Sequence, residues 1–204
     1  MSWVIVGLGN PGAEYEGTRH NTGRMAVVHF AKKNGVKEWK EDRKVKASAA
    51  KVDTAICVLP DTFMNKSGSA VSRYVKSPKA AEKMIVVYDD LDLPLGKIKL
   101  SFDRGSGGHK GLESVMRAVK SKKFARIRIG VSPETLSGKL KKPQGDKEVN
   151  DFILSKFSSK GGSASGGKPD ETDELKKVFK RSSEAIATII EHGAVVAMNE
   201  FNKH

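Results

Sequence analysis

The 204-residue chain has one cysteine, Cys57, so no disulfide can form within it and a reducing cytosol is its expected location. Cys57 lies in the apolar run "AICVL" and reads as a small buried hydrophobe, not a nucleophile. No stretch approaches the roughly 18 apolar residues of a membrane helix, so no membrane association is expected. Met1-Ser2-Trp3 passes straight into a strand-like run, without the charged leader, apolar stretch and cleavage site of a secretory signal. No internal repeat is apparent. Acids are scarce in one quarter of the chain, where residues 97–147 hold fourteen Lys/Arg against four Asp/Glu. Most of the net charge of +13 therefore sits in one segment. Such concentration suggests a polyanionic partner, nucleic acid first, because neutralised phosphates release condensed counterions.

The rest of the sequence alternates between two patterns. "WVIVGL" (3–8), "TAICVL" (54–59), "KMIVVY" (83–88) and "ARIRIGV" (125–131) read as buried strands; "KASAAKV" (46–52) and "KIKLSF" (97–102) also have strand character. Between them, Thr22 can cap a helix over 23–33, and a second helix is expected near 67–74. Leu112, Val115, Met116 and Val119 share one face of a helix over 111–121. A short helix follows over 149–157, and the Gly/Ser-rich stretch 158–170 has the composition of a flexible insertion. Asp170 can then cap a C-terminal helix over 171–198. The expected fold is α/β: a single-domain, three-layer α/β/α sandwich around a twisted, mixed, mostly parallel sheet. Ligands of such sheets lie beyond the carboxyl ends of the strands, which directs attention to the loops after residues 8, 59, 88 and 131.

The first of these loops contains Gly7, Gly9 and Gly12 in a G-x-G-x-x-G pattern. A dinucleotide loop needs its helix to open within the glycines, with an acid about twenty residues further on. Here Pro11 and several polar residues intervene before Thr22, and Asp53 is displaced too far along the chain, so no dinucleotide cofactor is expected. That leaves Asn10 and His20 as unexplained polar residues near a strand end. The second loop offers Met64 and Asn65. The third offers Asp89, Asp90 and Asp92, which would suit a divalent cation if a second acidic cluster completed the site, and none does. A carboxylate from this group could instead orient His20 and support its imidazolium. The fourth stretch, "RGSGGHKG" (104–111), could cradle a phosphate on backbone N–H groups or serve as a plain connector.

Taken in order, "VGLGNPGAEYEGTRHNTG" (6–23), "PDTFMNKSG" (60–68), "DDLDLPLGKIKL" (89–100), "GSGGHKGLES" (105–114), "RIRIGV" (126–131), "DFILSKF" (151–157) and "AMNEFN" (197–202) resemble the bacterial-type peptidyl-tRNA hydrolase family. The resemblance implies hydrolysis of the ester joining a peptide to the tRNA 3′-terminal ribose. It makes His20 the catalytic base, Asp89 the carboxylate that polarises it, and Asn10 and Asn65 the amides that hold the peptide and terminal adenosine. Met64 and Tyr15 would face the peptide. Arg128 matches a residue implicated in tRNA phosphate binding, and Arg126 and Lys99 join it on charge alone. The implied partner is peptidyl-tRNA, met through its acceptor end and peptide; no metal, cofactor or obligate protein partner is implied, and a monomer is expected. Segment 132–150 is a candidate lid. One position departs from the family pattern: Lys110 stands where asparagine is usual, and a lysine cannot accept a hydrogen bond. Its charge would reach a phosphate or lower the pKa of His20.

Overall fold

The apolar runs become the interior of one sheet. The computed structural model describes residues 2–135, 137–158 and 170–203, and among them seven strands pair. These are Trp3–Gly7 (β1), Lys40–Asp42 (β2), Ala47–Val52 (β3), Ala55–Pro60 (β4), Met84–Pro94 (β5), Ile98–Phe102 (β6) and Ala125–Ser132 (β7), in the spatial order β2-β3-β4-β1-β5-β7-β6. The central four, β4, β1, β5 and β7, are parallel, while β2, β3 and β6 join antiparallel at the two edges. The central strands are apolar on both faces because helices cover both.

Alternation along the strands sorts side chains into two layers. Ile5, Cys57, Ile85, Val87 and Ile127 pack with helices Thr22–Lys33 (α1), Glu171–His192 (α6) and Ala194–Phe201 (α7). Val4, Val6, Val58, Val86 and Tyr88 pack on the opposite face with Ser67–Val71 (α2) and Lys110–Val119 (α4). Two shorter helices, Pro78–Ala81 (α3) and Asp146–Leu154 (α5), complete the described elements. The three-layer sandwich is therefore the one expected. None of the described helices is long and apolar enough to cross a membrane.

Unequal strand lengths shape the carboxyl edge of the sheet. β1 ends at Gly7, opposite Val87, whereas β5 continues through Asp89 and Asp90 to Pro94. This leaves a notch above β1, and α1 starts close against it. A methyl group on Gly23 would collide with the Val87 carbonyl, and one on Gly7 would lie 2.8 Å from the Gly23 carbonyl. The glycines thus let α1 sit directly on the sheet.

Several expected boundaries shift, each for a local reason. Asp89 and Asp90 lie inside β5 and not on a loop, because β7 pairs with both. Thr22 is the first residue of α1, with its hydroxyl donating to the Arg19 carbonyl at 2.6 Å, so Asn21 occupies the cap position. The second helix is only Ser67–Val71, preceded by a 3-10 turn at Met64–Lys66. The helix expected at 149–157 runs Asp146–Leu154. Asp170 caps α6 as expected, accepting from the Thr172 N–H at 2.7 Å, but the C-terminal helix breaks at Gly193, whose φ is +87°. β2 carries no apolar residue and is fully exposed, so periodicity gave no sign of it. The 158–170 insertion lies, except for its two end residues, outside the described residues.

Candidate active site

The notch opens into a cleft of about 890 Å³ whose lining includes Asn10, His20, Met64, Asn65, Asp89, His109, Lys110 and Arg128. Its centre is Asp89, 4% exposed at its place in β5. The His20 Nδ1 lies 3.0 Å from each Asp89 carboxylate oxygen. From the other layer, the His109 Nε2 lies 3.1 Å from Oδ1. His20 sits in a 3-10 turn just before α1, and His109 is the N-cap of α4. One carboxylate thus joins a ring carried by each face of the sandwich.

Hydrogen bonding settles the tautomers of both rings. The His109 Nδ1 accepts the Leu112 N–H at 3.1 Å, so it carries no proton and Nε2–H donates to Asp89. Both of its nitrogens are committed. His20 donates Nδ1–H to the carboxylate, which leaves Nε2 as its basic atom. Burial alone would lower the His20 pKa and the Lys110 charge adds to that, yet the Asp89 carboxylate outweighs both and holds it above the ordinary value. For Asp89, burial would raise the pKa, but His20 and His109 keep the carboxyl well below the usual carboxylate range.

Asn10 is built into the same floor. The Asn21 side chain brackets its backbone, accepting from the Asn10 N–H at 2.8 Å and donating to its carbonyl at 3.0 Å. The Asn10 Oδ1 accepts the Met64 N–H at 2.8 Å, so the amide is oriented and offers the cleft its N–H₂. This bond also fixes the 3-10 turn carrying Met64, which is buried, and Asn65, which is exposed.

The acids of β5 do not converge. Asp89 serves the histidines, Asp90 accepts from the Arg128 Nε at 2.6 Å, and Asp92 pairs with Lys142. His20, Asp89 and His109 bring ligand-type atoms within 4.8 Å of one another, the one such group among the described residues. A metal there would need the His109 Nε2 lone pair while Nδ1 accepts the Leu112 N–H, which demands an imidazolate. The donor set therefore suits proton transfer better than a metal ion.

Not every expected residue reaches the cleft. Tyr15 lies beside it, its ring edge-on to Phe63 at 6.5 Å. Lys99 is exposed on β6, directly across the ladder from Arg128. Arg126, expected from its charge to meet phosphate, does line the cleft but is only 1% exposed. Its guanidinium donates to the carbonyls of Gly105 at 2.8 Å, Arg104 and Lys122, and stacks on Phe124. It holds the glycine-rich loop that leads to His109 and meets the cleft with almost no exposed surface.

His109 itself went unread in the sequence. The available signal was a histidine three residues before Leu112, the first apolar position of an amphipathic helix, where a cap is needed.

Comparisons with known proteins identify the family. A family model described as peptidyl-tRNA hydrolase matches residues 4–204. Peptidyl-tRNA hydrolase of Syntrophotalea carbinolica is 35% identical, covering 98% of this chain and 96% of its own. The Thermoanaerobacter protein of the same name is 38% identical, covering 98% and 99%. The crystal structure of peptidyl-tRNA hydrolase from Acinetobacter baumannii superposes with a TM-score of 0.79 at 28% identity, over 100% of this chain and 95% of that one. The chain belongs to the peptidyl-tRNA hydrolase family.

Proposed function

We propose that the protein hydrolyses peptidyl-tRNA, with His20 as the base that activates water. The observation that carries this reading is the buried His20–Asp89–His109 array at the floor of a cleft, in a chain of this family. The His20 Nε2 takes a proton from water as the water oxygen attacks the ester carbonyl carbon. The Asn10 N–H₂, preoriented through Met64, donates to the oxyanion that develops. Collapse breaks the bond to the ribose oxygen, which takes the proton back from His20. Asp89 supports the imidazolium throughout and holds its Nδ1–H. Neither metal nor cofactor enters these steps.

The cleft offers two kinds of surface to the two parts of the substrate. Met64, Phe63, Leu91, Val149 and Ile153 are apolar, and Phe63 is 59% exposed; they suit a peptide of variable sequence or the terminal adenine. Arg104, Lys110, Arg128 and Lys142 are cationic and suit the acceptor-end phosphates, with Lys99 extending that path and Tyr15 at its margin. We assign Asn65 to the terminal nucleotide and a reducing cytosol as the setting, with the protein acting as a monomer. The test is release of free tRNA and peptide from N-blocked aminoacyl-tRNA by the purified chain. Tight tRNA binding without release would favour an RNA-binding protein on the same scaffold.

Two variants test the cationic side. Arg128→Ala removes one phosphate contact, so the plot of log affinity for tRNA against log salt becomes shallower by roughly 0.7 to 0.9. An unchanged slope takes Arg128 off the tRNA path. Lys110→Asn removes a charge that opposes protonation of His20. The acidic limb of kcat/KM therefore moves to higher pH, and an unmoved or lower midpoint would show that Lys110 does not act on His20.

A further inference from the structure

α5 forms part of the cleft wall through Val149, Asn150, Ile153 and Leu154, yet no residue of this helix is buried. It has no core of its own to hold it in place, so its position depends on its two ends. Upstream, Pro143 is buried and the Lys141 N–H donates to the Pro133 carbonyl. The side-chain tie there is the Lys142–Asp92 pair, about half exposed and of a kind that is weak and screened by salt. Downstream, the tie is Arg19, the residue immediately before His20.

The Arg19 guanidinium is nearly fully buried and uses every edge. Its Nη2 lies 2.9 Å from both carboxylate oxygens of Glu171, Nη1 donates to the Val131 carbonyl at 3.1 Å, and Nε donates to the Ser155 hydroxyl at 3.3 Å. Its guanidinium carbon lies over the rings of Phe152, on α5, and Phe157, just beyond it, at 4.7 and 4.6 Å. The main chain adds a short antiparallel bridge: the Arg19 N–H donates to the Ser155 carbonyl, Thr18 pairs with Lys156, and the Phe157 N–H donates to the Gly17 carbonyl. A planar fork that stacks on two rings while donating from its rim is what guanidinium does and ammonium cannot.

We infer that Arg19 is a positioning residue that sets the α5 wall of the cleft at a fixed distance from His20, tying substrate grip to the base. The clamp grips α5 beside the reacting ring, so the distance of the wall from His20 is set through Arg19. This inference rests on the cleft being the substrate site.

The experiment compares the full-length chain with Arg19→Lys, and with Glu171→Gln, which weakens the same clamp from outside the cleft. In hydrogen–deuterium exchange, amides of residues 146–158 should exchange about tenfold faster or more in Arg19→Lys, with β1, β5 and β7 unchanged and a smaller effect in Glu171→Gln. With N-blocked aminoacyl-tRNA, KM should rise about fivefold or more while the pH midpoint of kcat stays put, because the His20–Asp89 pair is untouched. Uniform acceleration across the sheet, or a fall in kcat at unchanged KM, would overturn the inference by reducing Arg19 to a general support of the fold. The exchange measurement needs no substrate, so its failure is separable from failure of the proposed reaction.

Discussion

Replacing His20 with alanine lowers kcat for peptidyl-tRNA by about 10²–10⁴-fold while KM changes little. The size follows from what remains. Within the array, His20 alone has an uncommitted basic nitrogen, since the His109 Nδ1 accepts from Leu112 and its Nε2 donates to Asp89. His109 therefore cannot take over as base without giving up its cap. The proposed substrate contacts over the rest of the cleft are left in place, so KM is expected to hold. Asp89 keeps its bond from His109, and water can fill the space left by the ring, so the thermal transition of the variant should show it folded. Wild-type turnover by a folded His20→Ala protein would place the base elsewhere. In the unsubstituted enzyme, kcat/KM should rise with pH through a midpoint above the ordinary histidine value, because the neutral ring is the proposed base and Asp89 raises its pKa.

Asp89→Asn is expected to be almost as damaging, for a different reason. Both carboxylate oxygens lie 3.0 Å from the His20 Nδ1, and Oδ1 also accepts from His109. An amide in either orientation sets its N–H₂ about 3.0 Å from a ring N–H, donor against donor. His109 cannot relieve this, because Leu112 fixes its tautomer. His20 can, by moving its proton to Nε2 so that Nδ1 accepts, and that move removes the base. A loss of about 10²–10⁴ in kcat is the result, with the tRNA affinity retained. The residual activity should titrate at lower pH than wild type, since burial and Lys110 now act on His20 without an opposing carboxylate. Retained kcat, or a midpoint moved upward, would contradict the assigned geometry.

The same pair makes stability depend on pH in two windows. The folded-state pKa of Asp89 is depressed, so its contribution is present above about 4, the unfolded carboxylate value, and is lost as pH falls toward the folded one. That of His20 is raised, so its contribution is full below about 6.5 and is lost as pH climbs through the folded value.

How far the sequence discloses this arrangement depends on what kind of signal each residue leaves. β1, β4, β5 and β7 were plain because burial on both faces demands unbroken apolar runs. The tip of β5 was not, because "DDLD" looks like a loop until β7 is there to pair with it. Asn10 and His20 stand on polar segments beyond β1, and Asp89 on β5 where it runs past the end of β1, the side on which an α/β sheet collects its ligands. The family resemblance supplied their roles. His109 hid in a glycine-rich stretch that reads equally well as a connector. Arg126 and Arg128 are two apart and share a face, so alternation gives them the same character. What separates them is tertiary: the glycine-rich loop closes over Arg126, whereas Arg128 stands nearer the strand end, beside Asp90.

The two rings around Asp89 come from opposite sides of the sheet, His20 ahead of α1 and His109 at the cap of α4. Neither helix layer can assemble the array alone. During refolding, therefore, hydrolysis cannot return before the slower of the two layers has docked, however early the sheet itself collapses. Recovered activity in this chain would report the docking of both layers, not the collapse of the sheet.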